Sequence, residues 1–349
     1  MIPAGPDEND QLSTAKYSDL HLMITERRLV LVTGAAGWIG RRVCQLLQRR
    51  GIAVAAFNRA AGEGPWIQSF VGELNCFADP PDELRRLLEV TVAVVHCAGR
   101  AHRPVETPAE IEALERTNVD GTRNLLRACH VMGVPRLVYV STIAGYDWAK
   151  TSEAGKDERA LLCPVTAYAR TKLEGERLVR ESHLDWRIVR LATVFGVGDR
   201  ANFAKLAGAL KHGRFMVPGI GAARKSVMPV DLAAEVLVRL ALIDEPRHRL
   251  MNGALSHTPT LQEICNAFSA ECGFSQAHAV PLALLQAGAL LGDLAAKLRP
   301  DFPLTTPALA KLTTSTVINP ARLYETLPDF PRPTFAEALR SAAEFYRSV

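Results

Sequence analysis

The 349-residue sequence contains no Cys-x-x-Cys pair, no two histidines at metal-ligand spacing, no internal repeat and no low-complexity segment. These absences exclude a zinc ribbon, a thioredoxin-like redox motif, a solenoid and a disordered interaction tract. Seven cysteines, an odd number, lie mostly inside apolar stretches, so they read as buried, reduced thiols of a cytosolic protein. The excess of one sign of charge is also small. A net charge of +4 argues against nucleic acid as the main partner and is compatible with an anionic small ligand. There is no secretory signal: residues 1–28 are polar, carry mixed charge and include Pro3, Pro6 and the acidic run Asp7-Glu8, which predicts a mobile extension. Nor is there a convincing membrane span. The most lipid-like stretch, Leu282 to Leu298, is interrupted by Gln286, Gly288, Asp293 and Lys297, and it reads as a packed helix or one lying on a membrane or partner surface.

What is present alternates. Apolar strand candidates at 29–33, 52–57, 67–71, 92–97, 136–141 and 186–191 are separated by helical candidates at 38–50, 80–89, 108–132 and 165–182. Such alternation predicts an α/β fold, a Rossmann-type doubly wound parallel sheet. After Val194 the spacing loosens and glycine and proline multiply, with shorter helices expected near 201–212, 231–243, 260–272 and 281–298. The expected organisation is a dinucleotide-binding domain over 29–195 and a smaller, mostly helical substrate-binding region over 196–349, at the carboxyl edge of the sheet where ligands bind in such folds.

Thr33-Gly34-Ala35-Ala36-Gly37-Trp38-Ile39-Gly40 follows the first strand directly. Its GxxGxxG spacing supplies a tight turn, close backbone approach to phosphate and close helix-to-strand packing, with a pyrophosphate at the helix N-terminus. Cofactor choice falls at the end of the second strand, where an acid would bind the adenosine ribose of NAD and an arginine would accommodate the 2′-phosphate of NADP. Asn58-Arg59 stand there with no acid, which favours NADP(H) over NAD(H). Glu73-Leu74, after the third strand, are expected to meet the adenine, and Cys97-Ala98-Gly99, after the fourth, the nicotinamide side.

Tyr168 and Lys172 lie one helical turn apart on one helix face. A free tyrosine, with a pKa of about 10, is a poor base near neutrality, and the lysine charge favours its phenolate. A hydroxyl from Ser141 or Thr142, at the end of the fifth strand, can share a substrate oxygen with it. A phenol, an ammonium and a hydroxyl behind a glycine turn suit hydride and proton transfer at a carbinol carbon.

These motifs resemble the extended short-chain dehydrogenase/reductases, specifically the nucleotide-sugar epimerase/dehydratase group. The resemblance rests on the glycine turn, Val95-His96-Cys97-Ala98-Gly99, Thr117-Asn118-Val119-Asp120-Gly121-Thr122, Val140-Ser141-Thr142, Tyr168 with Lys172, Arg190 with Val194-Phe195-Gly196, and Arg224 to Ala233. It covers residues 29 to about 240 strongly and the rest weakly. It implies that Tyr168 is the acid/base, Thr142 its hydroxyl partner and Lys172 the residue that binds the nicotinamide ribose. Asn118 would support the central helix near the active site. Asn202 and Arg224 would meet a substrate diphosphate, with Arg100, Thr193 and Lys311 as further substrate-side candidates. A UDP-sugar partner and a homodimer through the helices near 108–132 and 165–182 are implied as well.

Departures from the group bear on the reaction. Dehydratases follow the catalytic threonine with Asp-Glu, whereas Ile143-Ala144 stand here. The sugar epimerases carry an asparagine where this chain has Thr193, and their late Arg-Pro-Gly-Asp segment is replaced by Lys311-Leu312-Thr313-Thr314-Ser315. The pattern looks more like the bacterial reductases of UDP-4-keto-6-deoxy-hexosamines that serve surface polysaccharide assembly. The expectation is therefore an NAD(P)-dependent oxidoreductase at C4 of a nucleotide sugar. A 4-epimerase, a reductase of steroid- or flavonoid-like alcohols and a dinucleotide-sensing regulator remain as alternatives.

Overall fold

Leu29-Val30-Leu31-Val32 has no polar side chain to present to water, and the run is buried throughout as β1 (Leu29–Thr33). A computed structural model describes residues 29–100, 107–150, 154–299 and 302–349. The N-terminal extension expected over 1–28 lies outside the described residues. From β1 the chain passes through α1 (Trp38–Arg49), β2 (Ala53–Asn58), β3 (Gln68–Val71), α2 (Asp82–Glu89), β4 (Thr91–His96), α3 (Pro108–Glu115), α4 (Gly121–Val131), β5 (Arg136–Thr142), α5 (Ala167–Glu181) and β6 (Asp185–Leu191). A later strand, β10 (Leu250–Gly253), completes a seven-stranded parallel sheet in the order β10-β6-β5-β4-β1-β2-β3. Strands buried on both faces read as continuous apolar runs, which is why the parallel sheet was legible from sequence. The order 3-2-1-4-5-6 is that of dinucleotide-binding folds.

Contacts divide the chain into two compact units, and neither is contiguous in sequence. The first takes the residues through Val140 together with 174–187 and 237–244. Its helix α1 buries Gly40, Val43, Cys44 and Leu47, the one face that 3.6-residue periodicity allows. The segment expected as one helix over 108–132 is helical from Pro108 to Val131, with a π-helical turn at Arg116–Asp120 between α3 and α4. Thr107 and Glu110 form a capping box at the start of α3, with Pro108 at its first position. At the opposite end of this unit Arg187, fully buried, donates to the carbonyls of Leu240, Ile243 and Asp244 and to Asp185 Oδ2 (2.7 Å). A planar guanidinium with five donors suits this cluster of helix-terminal carbonyls.

The second unit takes residues 141–173, 188–236 and 245–349. Besides β10 it holds β7 (Thr193–Phe195), α6 (Asn202–Lys211), β8 (Met216–Pro218), β9 (Val227–Pro229), most of α7 (Val230–Leu242), α8 (Leu261–Cys272), β11 (His278–Val280), α9 (Leu282–Leu298), α10 (Thr306–Thr313), α11 (Ala321–Thr326), α12 (Phe335–Arg340) and α13 (Ala343–Ser348). An aromatic core of Phe195, Phe203, Phe268, Phe335 and Tyr346 binds these short helices together. Among the described residues no helix is long and apolar enough to cross a membrane.

Candidate active site

At the carboxyl ends of β1 to β4, the first unit carries a crevice of about 390 Å³. Gly34, Ala36 and Gly37 line one side of it. Gly34 sits at φ +68°, donates its N–H to Phe57 O (2.8 Å), and accepts from Gly37 N–H (2.9 Å). A side chain on Gly34 would fall 2.8 Å from the Ala98 backbone, so glycine is required by both conformation and space. Trp38, Ile39 and Gly40 open α1 itself. That helix start is where the sequence leads one to expect a dinucleotide pyrophosphate.

Asn58 and Arg59 line the crevice after β2, Glu73 and Leu74 after β3, and Cys97, Ala98, Gly99 and Arg100 after β4. Asn58 is buried at 4% exposure, and its Oδ1 accepts the Ala36 N–H at 2.7 Å, fixing the glycine turn to β2. That bond also orients the amide: the buried Asn58 Nδ2 has no hydrogen-bond partner among the described residues. Asn75, Arg116 and Thr117 line the same crevice and were not singled out as site residues. Thr117 belongs to a quoted motif, but its access depends on the π-helical turn, which leaves no composition signal.

A buried hydrogen-bond chain supports this crevice. Thr122 Oγ1 donates to Asn118 O (2.7 Å) and lies 3.1 Å from His96 Nε2, so Nε2 carries the proton. His96 Nδ1 then accepts from Thr33 Oγ1 at 2.6 Å. The side chain of Asn118 clasps one peptide group on each side of Arg100, accepting its N–H at 2.7 Å and donating to its carbonyl at 3.2 Å. Asn118 thus fixes the course of the strand exit that carries Cys97 to Arg100, a role more specific than support of a helix.

The second unit holds the residues expected to do the acid–base chemistry. Tyr168 and Lys172 are one turn apart on α5, Lys172 is buried at 6% exposure, and Thr142 ends β5. Tyr168 and Thr142 share a side-chain hydrogen bond. Ser141, on the other face of the strand, is buried. Desolvation pushes the half-buried Tyr168 phenol up from its ordinary pKa, and the Thr142 hydrogen bond partly offsets that rise. The resting residue is therefore a neutral phenol, a proton donor. Thr142 also accepts the Ala144 N–H (3.1 Å), which caps the short turn Ile143–Gly145. Beyond that turn Tyr146 donates to Asn252 Oδ1 (2.8 Å) and accepts from Arg190 Nη1 (3.0 Å), and Asn252 N–H donates to Glu158 (2.7 Å). This buried polar network gives the Arg190 of the sequence motif a structural partner set.

Of the substrate-side candidates, three share one neighbourhood. Thr193 pairs with Val227 in the β7–β9 ladder, three residues beyond Arg224. Arg224 is exposed, with its N–H donating to Ser315 Oγ (3.0 Å) and its carbonyl accepting from Thr316 N–H (2.9 Å). Lys225 Nζ donates to the carbonyl of Lys311 (2.7 Å), and burial pushes its pKa down to about 8. Asn202 is exposed in the first turn of α6, where Asp199 accepts the backbone N–H groups of Ala201 (2.7 Å) and Ala204 (3.0 Å). The described contacts do not bring Asn202 to Arg224.

Residues 30–249 match the NAD dependent epimerase/dehydratase family. The chain is 28% identical over 235 residues to a UDP-glucose 4-epimerase of Vibrio cholerae, covering 62% of this chain and 67% of the relative. It is 29% identical over 274 residues to a dTDP-4-dehydro-6-deoxy-D-allose reductase of a Streptomyces species (70% and 82% covered). A 2-alkyl-3-oxoalkanoate reductase of Stenotrophomonas maltophilia is 32% identical over 213 residues (59% and 62% covered). Among solved structures, MoeE5 in complex with UDP-glucose and NAD superposes with a TM-score of 0.68 at 23% identity, covering 91% of this chain and 98% of that one. At that identity the superposition speaks for the fold. The match over 30–249, together with the glycine crevice and the Tyr168–Thr142 pair, places the chain in the NAD dependent epimerase/dehydratase family, enzymes of the extended short-chain dehydrogenase/reductase type.

Proposed function

We propose that this enzyme acts at C4 of a nucleotide-linked sugar, as a reductase of a UDP-4-keto-6-deoxy-hexosamine that uses NADP(H). The observation that carries the reading is the Thr142–Tyr168 pair, in which burial keeps the phenol protonated. A bound dinucleotide would supply the hydride. Tyr168 donates its proton to the C4 oxygen as the carbonyl is reduced, and Thr142 shares that oxygen through a hydrogen bond. Lys172, one turn away, favours the resulting phenolate until it is reprotonated. The glycine turn binds the pyrophosphate, and exposed Arg224 holds the substrate diphosphate. The side chains directly after Thr142 are Ile143 and Ala144, so no carboxylate stands there to eliminate water.

The runner-up, a 4-epimerase, needs the same residues and differs in bookkeeping of the cofactor. Incubation with NADPH and a UDP-4-keto-6-deoxy-N-acetylhexosamine should oxidise one NADPH per sugar. If UDP-N-acetylhexosamines are interconverted at C4 without net NADPH loss, the epimerase reading replaces it.

The NADP(H) choice rests on Asn58 and Arg59. Asn58 accepts the Ala36 N–H through its amide oxygen and, unlike an aspartate, brings no negative charge that would repel a 2′-phosphate. The variant Asn58→Asp/Arg59→Ala keeps the acceptor for Ala36, adds one for ribose hydroxyls and removes a charge-assisted contact. A bond of that kind contributes roughly 1.5–3 kcal/mol, so preference should move towards NAD(H) by about tenfold or more. Fluorescence titration of both dinucleotides checks it, and a parent protein that already prefers NAD overturns the reading of Arg59.

A further inference from the structure

A wide apolar arc on a surface helix marks contact with protein or with lipid. The helix α9 is enclosed on one side only. Its inner face packs Leu285 and Ala289 against Leu309 of α10, with Val280 and Leu304 beside them. Gly292 lets the backbone of Leu304 approach so closely that a Cβ there would fall 1.7 Å from its carbonyl oxygen, so this side is filled. The single acidic side chain of the helix, Asp293, is also turned towards α10, accepting from Thr306 N–H (2.9 Å) and Oγ1 (2.6 Å).

The other face is bare. Leu284, Leu290, Leu291, Leu294 and Leu298 are 60–93% exposed. At 3.6 residues per turn they fall within an arc of about 120°, without a carboxylate among them. Ile220, 82% exposed, follows Gly219, whose N–H donates to Val280 O (2.8 Å) just before the start of α9. Lys297 and Arg299, both exposed, flank its C-terminal end.

We propose that this leucine arc docks on the surface of an anionic lipid membrane. Two features select that occupant. The helix is about 25 Å long, and a strip about 10 Å wide along it falls well short of the roughly 800 Å² per partner that a stable protein interface takes. Exposed cations beside an apolar arc without acidic residues match the acyl boundary and negative headgroups of such a surface, with the helix lying in the interfacial plane. The docking holds whichever sugar the enzyme reduces.

The test is co-sedimentation of the full chain with vesicles of phosphatidylglycerol and phosphatidylethanolamine, and with vesicles of phosphatidylcholine alone. The protein should pellet with the anionic vesicles and partition at least about tenfold less onto phosphatidylcholine or in high salt. Leu291→Glu/Leu294→Glu, at exposed positions, should lower partition by about tenfold or more while dinucleotide binding and melting temperature stay unchanged. Lys297→Glu/Arg299→Glu should lose the preference for anionic vesicles. Failure of the wild type to pellet, or equal pelleting of the leucine variant, overturns the proposal. So does a dimer in sedimentation velocity that the leucine variant dissolves, which would give the face to a second copy of the chain.

Discussion

Tyr168→Phe should lower kcat by about 10²- to 10⁴-fold, the usual contribution of a positioned general acid. The substitution keeps the ring and removes only the hydroxyl that is hydrogen-bonded to Thr142, so the packing of α5 should hold. The glycine crevice lies on other residues, and dinucleotide affinity should stay within about twofold, less than 0.5 kcal/mol. Thr142→Val should follow the same pattern, because the partner hydroxyl is lost while the shape is kept. Steady-state kinetics with equilibrium dinucleotide titration distinguishes a catalytic loss from a folding defect. Near-full turnover by the phenylalanine variant would remove Tyr168 from the chemistry.

Gly40→Val should abolish tight dinucleotide binding. A Cβ at Gly40 would lie 2.2 Å from Gly34 O and 2.9 Å from Gly34 C, and both atoms belong to the turn proposed to cradle the pyrophosphate. Neither is the end of a flexible side chain, so relief requires moving the turn away from α1. Gly34 is itself anchored on both sides, through Phe57 O and close contact with Ala98. Overpacking of a rigid site costs about 1–3 kcal/mol, and a ligand held by the displaced amides should lose tenfold to more than hundredfold in affinity. The experiment is dinucleotide titration by fluorescence, with circular dichroism to show that the sheet persists. Wild-type affinity in Gly40→Val would place the pyrophosphate elsewhere.

The parts of this molecule written in short, regular patterns were legible. The strands β1, β2 and β4 are mainly apolar runs because the middle of a parallel sheet is covered on both faces, and the glycine turn has the spacing expected where backbone approaches phosphate. Tyr168 and Lys172 could be paired by helical periodicity alone. What escaped depends on distant backbone. The seventh strand, Leu250–Gly253, is four residues long and carries Asn252, whose amide serves the buried Tyr146–Glu158 network and dilutes any apolar signal. The clasp of Asn118 on Arg100 links side chain to peptide across 18 residues and requires a π-helical turn that no composition marks. Asn58 was read as a cofactor residue, and its bond to the Ala36 N–H gives it a second duty in shaping the turn. The outer leucines of α9 were visible as an apolar helix, but only the placement of Leu285, Ala289 and Asp293 on its covered side shows which face is bare.

The central claim is that the substrate is a nucleotide sugar, and titration of the enzyme with UDP at saturating dinucleotide tests it most directly. Arg224 is exposed beside the Glu263 carboxylate, and its guanidinium is proposed to make charge-assisted hydrogen bonds to a diphosphate, each contributing roughly 1.5–3 kcal/mol. Calorimetry should show UDP binding well below millimolar concentration, weakened by about tenfold or more in Arg224→Ala while dinucleotide affinity is retained. Absence of UDP binding by the wild type at millimolar concentration would contradict the account and favour a reductase of apolar alcohols.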